Sequence, residues 1–152
     1  LGVEDSVRFP GFISEIKKWE LLQKAWVFLM PSMKEGWGIT IIEAASCGTP
    51  TVGFDVLGVR DSIKHNETGL LSTDIDDYIH NVDSLLSNRQ FRKKHGKNAI
   101  TWSMLFSWDT TCQVFLDVIS KTDQNQKFLT DKLHPWEVDL ATENLSTLMN
   151  IK

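Results

Sequence analysis

Apolar runs and helical patterns alternate along the first half of the chain. Apolar side chains recur at helical spacing after Ser14, which predicts a helix capped by that residue. The continuous apolar run at residues 26–30 predicts a strand covered on both faces, because a strand with one wet face would alternate. Other patterns predict further elements: strands at residues 7–9, 51–54 and 69–72, and a helix at residues 39–47 that stops at Gly48. Strands alternating with helices indicate an α/β fold with a Rossmann-like parallel sheet.

After Ser72 the predicted elements are all helices. Residues 75–86 carry a clear amphipathic pattern, and Asp74 is suited to cap that helix. Further helices are predicted at residues 89–102 and 108–119. A polar, linker-like stretch and a weaker amphipathic helix follow, at residues 121–133 and 136–150. We therefore divide the chain into a domain of residues 1–120 and a linker with a helical tail, residues 121–152.

The composition is that of an ordinary globular protein, with 41% hydrophobic and 24% charged residues among 152. The net charge of −4 gives no general attraction to nucleic acid, so no nucleic-acid partner is expected. No apolar run approaches the ~20 residues that span a bilayer. Cys47 and Cys112 lack metal or redox spacing and are interpreted as free thiols of a cytoplasmic protein, with a disulfide between them as the alternative that no residue pattern supports. The chain opens at Leu1 without an initiator Met, so we expect it to be part of a longer protein.

Candidate chemistry concentrates in the loop after the most apolar strand. Ligands of a parallel α/β sheet bind beyond the carboxyl ends of the strands, so residues 31–38 should border the binding crevice. Gly36 and Gly38 allow the backbone to approach a ligand closely. The helix that begins after Gly38 directs its free N–H groups to the same place, and these favour a phosphate-bearing ligand.

Two carboxylates accompany this loop. Glu35 precedes the first glycine, and Glu43 lies in a helix otherwise rich in Ile and Ala. A carboxylate among apolar residues needs a polar partner, and the vicinal hydroxyls of a ribose would serve as one. Alternatives stay open: Glu35 as a solvated loop acid, Glu43 as an acid favoured by the helix dipole, and Trp37 as a packing aromatic.

A family resemblance becomes specific over residues 31–52. The sequence reads Pro31-Ser32-x-x-Glu35-Gly36-Trp37-Gly38-x4-Glu43-Ala44-x3-Gly48-x-Pro50-x-Val52. This pattern resembles the E-x7-E signature of the retaining GT-B glycosyltransferases, which include glycogen-synthase-like and cell-wall "group 1" enzymes. Flanking segments resemble the same family, at residues 7–11, 58–61, 68–71 and 106–109. The resemblance covers about residues 1–120.

The resemblance implies the donor-binding C-terminal half of an enzyme that transfers a sugar from a UDP- or GDP-sugar with retention of configuration. It implies that Glu35 lies against the donor sugar as the catalytic residue and that Glu43 holds the ribose. Contacts to the sugar and diphosphate would come from the segment after Glu35: Gly36, Trp37, Gly38, Ile39 and Thr40. No metal and no cofactor are expected, because helix dipoles and basic side chains stabilise the leaving diphosphate in this family.

The resemblance also implies parts that lie upstream of Leu1, namely an N-terminal acceptor domain and the cations that neutralise the diphosphate. The predicted strands would be strands 3 to 6 of a 3-2-1-4-5-6 sheet, whose first two strands lie in the middle. We therefore expect residues 7–9 to be detached, re-paired or poorly ordered, and the isolated chain to be inactive. Arg60 and Asp61 depart from the family's Pro and Glu, which weakens the donor contact expected from that loop.

Other candidate features have simpler interpretations. The basic run of residues 89–97 predicts a solvated helix face or a peripheral contact with an anionic membrane; its cations are Arg89, Arg92, Lys93, Lys94 and Lys97. The four histidines lack ligand spacing, so no metal site is predicted. The alternative to an enzyme is a non-catalytic module that binds a nucleotide or a partner subunit.

Overall fold

The framework of the protein is a small parallel sheet with helices on both faces. The computed structural model describes residues 2–130, with side chains described through Lys121. The chain divides into two compact units, Leu1–Phe106 and Ser107–Lys152. The helix predicted at residues 136–150 lies outside the described residues, and the domain boundary after residue 120 stays a prediction.

The three strands run in the order β1-β2-β3, all parallel. They are β1 (Phe28–Met30), β2 (Thr51–Phe54) and β3 (Gly69–Ser72). Leu29 lies opposite Val52, and Val52 lies opposite Leu70, which fixes the register. The prediction of a parallel α/β sheet is confirmed.

Six α-helices and a short 3₁₀ helix (Glu4–Ser6) accompany the strands in the described residues. They are α1 (Glu15–Lys24), α2 (Ile39–Ser46), α3 (Val59–Ser62), α4 (Ile75–Ser87), α5 (Arg89–Ser103) and α6 (Trp108–Thr130). The predicted caps are confirmed, because Ser14 accepts a hydrogen bond from the Lys17 N–H and Asp74 accepts one from the Asp77 N–H. The short helix α3 lies in a stretch that the sequence predicts as loop.

The sheet separates two apolar layers. On one face, α2 and α3 pack on β1 through Met30, Ile41 and Val59. On the other face, α4 packs on β2 and β3, and its Tyr78 and Leu85 join the second layer, whose strand members are Val52 and Leu70. This second layer does not extend over β1, and Leu29 is 47% exposed. The prediction that residues 26–30 form a strand covered on both faces is therefore wrong for Leu29, and the strand itself is shorter.

The predicted strand at residues 7–9 is absent, and Phe9 is 92% exposed. A strand exists only where a neighbour satisfies its backbone groups, and no strand of the described chain runs beside this segment. Its position outside the sheet agrees with the expectation that it would be detached.

The polar stretch after Ser120 is helical rather than linker-like as far as Thr130, where α6 ends. Residues 121–130 contain no Gly or Pro and include two Lys and two Gln, which favour helix. Polarity alone therefore misled the sequence prediction at this point.

Candidate functional site

The loop that follows β1 leads directly into α2, as the sequence predicts. Gly38 is the residue before the helix and has a left-handed backbone with φ of 77°. A Cβ at this position would lie 2.7 Å from Ile41 Cδ1, and the left-handed backbone itself disfavours any residue other than glycine. Gly38 also has no side chain to accept a hydrogen bond from the first turn, which leaves the N–H groups of Ile39 and Thr40 for a ligand. Both residues are exposed.

The loop is held in place by α3. Gly58 has φ of 86°, and a Cβ there would collide with the carbonyl oxygens of Glu35 and Gly36. The hydroxyl of Ser62, which is 1% exposed, donates a 2.6 Å hydrogen bond to the Trp37 carbonyl oxygen. These contacts fix the backbone on both sides of Gly36.

Trp37 packs its ring inside this unit. The Trp37 and Phe106 rings pack edge to face, with 4.7 Å between their centroids. The Phe106 and Trp102 rings pack in the same way, with 4.8 Å between theirs. The ammonium group of Lys64 lies 4.3 Å from the centre of the Trp102 ring. The packing interpretation therefore describes the Trp37 ring, and its backbone amide stays a predicted donor-site contact.

Glu35 is half-buried, and its backbone touches Gly58. Among the residues whose side chains the structure describes, none donates a hydrogen bond to its carboxylate or forms an ion pair with it. The structure thus places a carboxylate with unused acceptor capacity in the loop beyond the carboxyl end of β1.

Glu43 has a different environment. Its Oε1 lies 2.8 Å from the Nζ of Lys18 on α1, and that Nζ also lies 2.8 Å from Glu15 Oε2. The side chains of Lys18 and Glu43 are 28% and 20% exposed. Glu43 Oε2 is buried and has no hydrogen-bond partner among the residues whose side chains are described. Hydrogen bonds to Glu15 and Glu43 raise the pKa of Lys18 above its ordinary value of 10.5, so the ammonium group stays charged at neutral pH.

In the loop that departs from the family pattern, the charged side chains of Arg60 and Asp61 bind neighbouring residues of the same segment. Asp61 Oδ2 accepts a hydrogen bond from the Gly58 N–H at 3.2 Å, which caps α3. Arg60 pairs with Asp55, with 3.0 Å between Nε and Oδ1. Both side chains therefore stabilise the local conformation of this segment.

The basic run of α5 lies where α5 meets α4. Arg92 donates hydrogen bonds to the carbonyl oxygens of Leu85 and Leu86 at 2.6 and 2.9 Å, and its guanidinium group lies 4.2 Å from the Trp26 ring centre. Arg92 lines an open cavity of about 640 Å³ together with Arg89 and Lys93. Four of the five cations are exposed, namely Arg89, Lys93, Lys94 and Lys97.

The described residues offer neither a metal site nor a membrane-spanning helix. No group of three His, Cys, Asp or Glu side chains there is arranged to hold a metal ion. No helix in that part of the chain is both long enough and apolar enough to cross a membrane. Cys47 and Cys112 are free thiols.

Sequence reasoning missed Lys18 and Ser62. Lys18 is 25 positions from Glu43, and Ser62 is 25 positions from Trp37. A long-range contact of this kind leaves no periodic or motif signal. Gly58 was noticed as part of a family-like loop, but its contact with the backbone of Glu35 was not foreseen.

Comparison with known proteins agrees with this geometry. Residues 1–102 match the family described as "Glycosyl transferases group 1". The match covers more than half of the chain, and the protein belongs to this family.

Named relatives support the same assignment. The D-inositol 3-phosphate glycosyltransferase 2 of Catenulispora acidiphila is 30% identical over 131 residues, which are 85% of this chain and 31% of that protein. The serotype-specific mannosyltransferase WbdA of Escherichia coli is 26% identical over 119 residues, 78% of this chain and 15% of that protein. The chain therefore spans a third or less of the length of these two relatives.

Solved structures share the fold. The sucrose-phosphate synthase of Thermosynechococcus elongatus has a TM-score of 0.70 at 27% identity, over 78% of this chain and 32% of that one. Anabaena HepE in complex with UDP-glucose has a TM-score of 0.70 at 26% identity, over 80% of this chain and 34% of that one. The fold of the chain is thus that of part of a GT-B glycosyltransferase.

Proposed function

We propose that this chain is the donor-binding part of a retaining glycosyltransferase that uses a nucleotide sugar. The observation that carries the proposal is the pairing of an uncapped α2 N-terminus with the unpartnered carboxylate of Glu35 in the preceding loop. The free N–H groups suit a diphosphate, and the carboxylate suits sugar hydroxyls. The structure of HepE with UDP-glucose supports a nucleotide sugar as the ligand.

Each site residue has a proposed role. Glu35 orients the donor sugar and stabilises positive charge at the reacting carbon. The backbone amides from Gly36 to Thr40 bind the sugar and the diphosphate, and Glu43 binds the ribose. The reaction needs no metal, because the helix dipole and cations of the complete protein stabilise the leaving diphosphate.

The complete enzyme requires a further domain that supplies the acceptor wall and the remaining diphosphate-binding cations. The short share of each relative that this chain covers supports that requirement. We also propose a cytoplasmic location, since free thiols such as Cys47 and Cys112 are typical of a reducing compartment.

The test is transfer from radiolabelled UDP- and GDP-sugars by the full-length protein, with and without EDTA. We expect transfer that survives EDTA, loss of transfer in Glu35→Ala, and a product whose anomeric configuration, measured by NMR, matches that of the donor. Binding of the nucleotide without transfer to any acceptor would favour the non-catalytic alternative. An inverted product would overturn the retaining mechanism.

A peripheral membrane contact is proposed for the exposed cations of α5. Arg89, Lys93, Lys94 and Lys97 are exposed, and none of them pairs with a carboxylate in the described structure. Each basic side chain near an anionic surface contributes about 1 kcal/mol of binding free energy. Replacing these four by Gln should abolish binding to phosphatidylserine vesicles, whereas unchanged binding would exclude this surface as the contact.

A further inference from the structure

A lysine bridges two acids beside the candidate nucleoside site. Lys18 Nζ contacts Glu15 on its own helix and Glu43 on α2, both at 2.8 Å. Ser14 caps α1, and the Thr49 hydroxyl donates a 2.6 Å hydrogen bond to the Leu22 carbonyl oxygen, which ties the end of α1 to the segment that follows α2. The ammonium group itself is held by its two ion pairs.

The Glu43 carboxylate is only half satisfied. Lys18 occupies Oε1, whereas Oε2 is buried and receives no hydrogen bond from the described part of the chain. A buried carboxylate oxygen without a donor is unfavourable, so a ligand that brings a hydroxyl group to it is favoured. The side chain as a whole is 20% exposed, and the terminal torsion of a glutamate is soft, so access of a ligand to Oε2 requires rotation of the carboxylate about that torsion.

We propose that Lys18 is a positioning residue for the donor nucleotide: it holds Glu43 through Oε1 and leaves Oε2 to accept one ribose hydroxyl. This inference rests on the proposed ribose contact of Glu43. It predicts a carboxylate that contacts the ribose mainly through a single oxygen, because its other oxygen already has a charged donor.

The same helix offers a matched control. Lys17 forms an ion pair with Glu20 at 2.9 Å and has no contact with Glu43. Lys17→Met and Lys18→Met therefore remove the same charge from adjacent positions of α1, and only the second removes a donor from Glu43.

The experiment measures UDP binding to the full-length protein by calorimetry, with 2′-deoxy-UDP and 3′-deoxy-UDP as probes. We expect Lys18→Met to weaken UDP binding about tenfold, because loss of one hydrogen bond to a charged group lowers affinity by about this factor. We expect Lys17→Met to leave UDP binding unchanged. The loss in Lys18→Met should shrink for the analogue that lacks the bound hydroxyl. In a Glu43→Gln background, Lys18→Met should add little, because its partner is already neutral.

Three outcomes would overturn the inference while leaving the proposed function intact. They are unchanged UDP binding in Lys18→Met, tighter binding in that variant (which would make Lys18 a competitor of the ribose), and an equal loss for UDP and both deoxy analogues. Lys18→Gln, which retains a neutral donor, provides a second variant if Lys18→Met does not fold, and it should lose less affinity. Failure of the wild-type protein to bind either UDP or GDP would overturn the proposed function and this inference together.

Discussion

Glu35 and Glu43 are the same residue type on either side of the turn into α2, but the structure holds them in opposite ways. The backbone of Glu35 is fixed by Gly58, and its carboxylate has no partner in the described chain. The backbone of Glu43 lies inside a helix, and its carboxylate is held by Lys18. A carboxylate without a protein partner can respond to charge that develops during a reaction, whereas a carboxylate already held suits recognition of a group that does not change. The difference in environment therefore supports the proposal that Glu35 serves catalysis and Glu43 serves nucleotide recognition.

The largest effect is expected from Glu35→Gln in the full-length protein. Gln keeps the size of the side chain but removes the negative charge, so stabilisation of the transition state is lost. We expect kcat to fall by about 10²–10³ and the Kd for UDP to change little. Rapid-quench or steady-state transfer assays combined with calorimetry measure the two quantities separately.

The matched control for this change is Glu67→Gln, which neutralises an exposed loop acid elsewhere in the same unit. It should leave both kcat and Kd unchanged. If Glu35→Gln retained full turnover, or if its main effect were on UDP affinity, the division of roles between the two glutamates would be wrong.

The second prediction concerns the support beneath Glu35. Gly58→Ala places a methyl group against the carbonyl oxygens of Glu35 and Gly36 at a backbone with φ of 86°. We expect a loss of about 2–3 kcal/mol in the free energy of unfolding and a larger fall in kcat than in UDP affinity. Urea denaturation and transfer kinetics test these two expectations.

Gly36→Ala is the control for stability, because a Cβ at Gly36 meets nothing within 4 Å. It should leave the free energy of unfolding nearly unchanged. If Gly58→Ala were as stable as Gly36→Ala and the wild type, the collision at Gly58 would be relieved by movement of the loop.

The elements that the sequence predicted correctly have local signals. The capped starts of α1 and α4 depend on Ser14 and Asp74, each of which bonds to an N–H three residues away. The turn into α2 depends on Gly38, which adopts the backbone that its neighbours require. Signals that involve residues only a few positions apart can be recognised in the sequence alone. For this reason the loop between β1 and α2 was predicted correctly.

The elements that were missed depend on partners far along the chain. Residues 7–9 have strand-like composition, but pairing is not a property of three residues, and only the family resemblance indicated that this segment would be detached. The contact between Lys18 and Glu43 joins two helices whose packing the sequence does not specify. The sequence could therefore locate the two glutamates, but it could not show that one of them has a protein partner.

The smallest effects are expected from removing either of two buried hydroxyl groups, one on each side of the site. Ser62 donates to the Trp37 carbonyl oxygen in the loop that carries Glu35, and Thr49 donates to the Leu22 carbonyl oxygen of the helix that carries Lys18. Both bonds are 2.6 Å long. Ser62→Ala and Thr49→Val should each lower the free energy of unfolding by about 1–2 kcal/mol, because in each case a carbonyl oxygen loses a short hydrogen bond.

The two substitutions should differ in function although they cost similar stability. Ser62→Ala loosens the loop of Glu35 and should lower kcat a few-fold, whereas Thr49→Val loosens α1 beneath Lys18 and should weaken UDP binding a few-fold. Transfer kinetics and calorimetry on both variants, at a temperature where each is fully folded, separate the two effects. If both variants lost kcat and affinity in the same proportion, the hydroxyl groups would support one rigid site, and the two carboxylates would not be independently positioned.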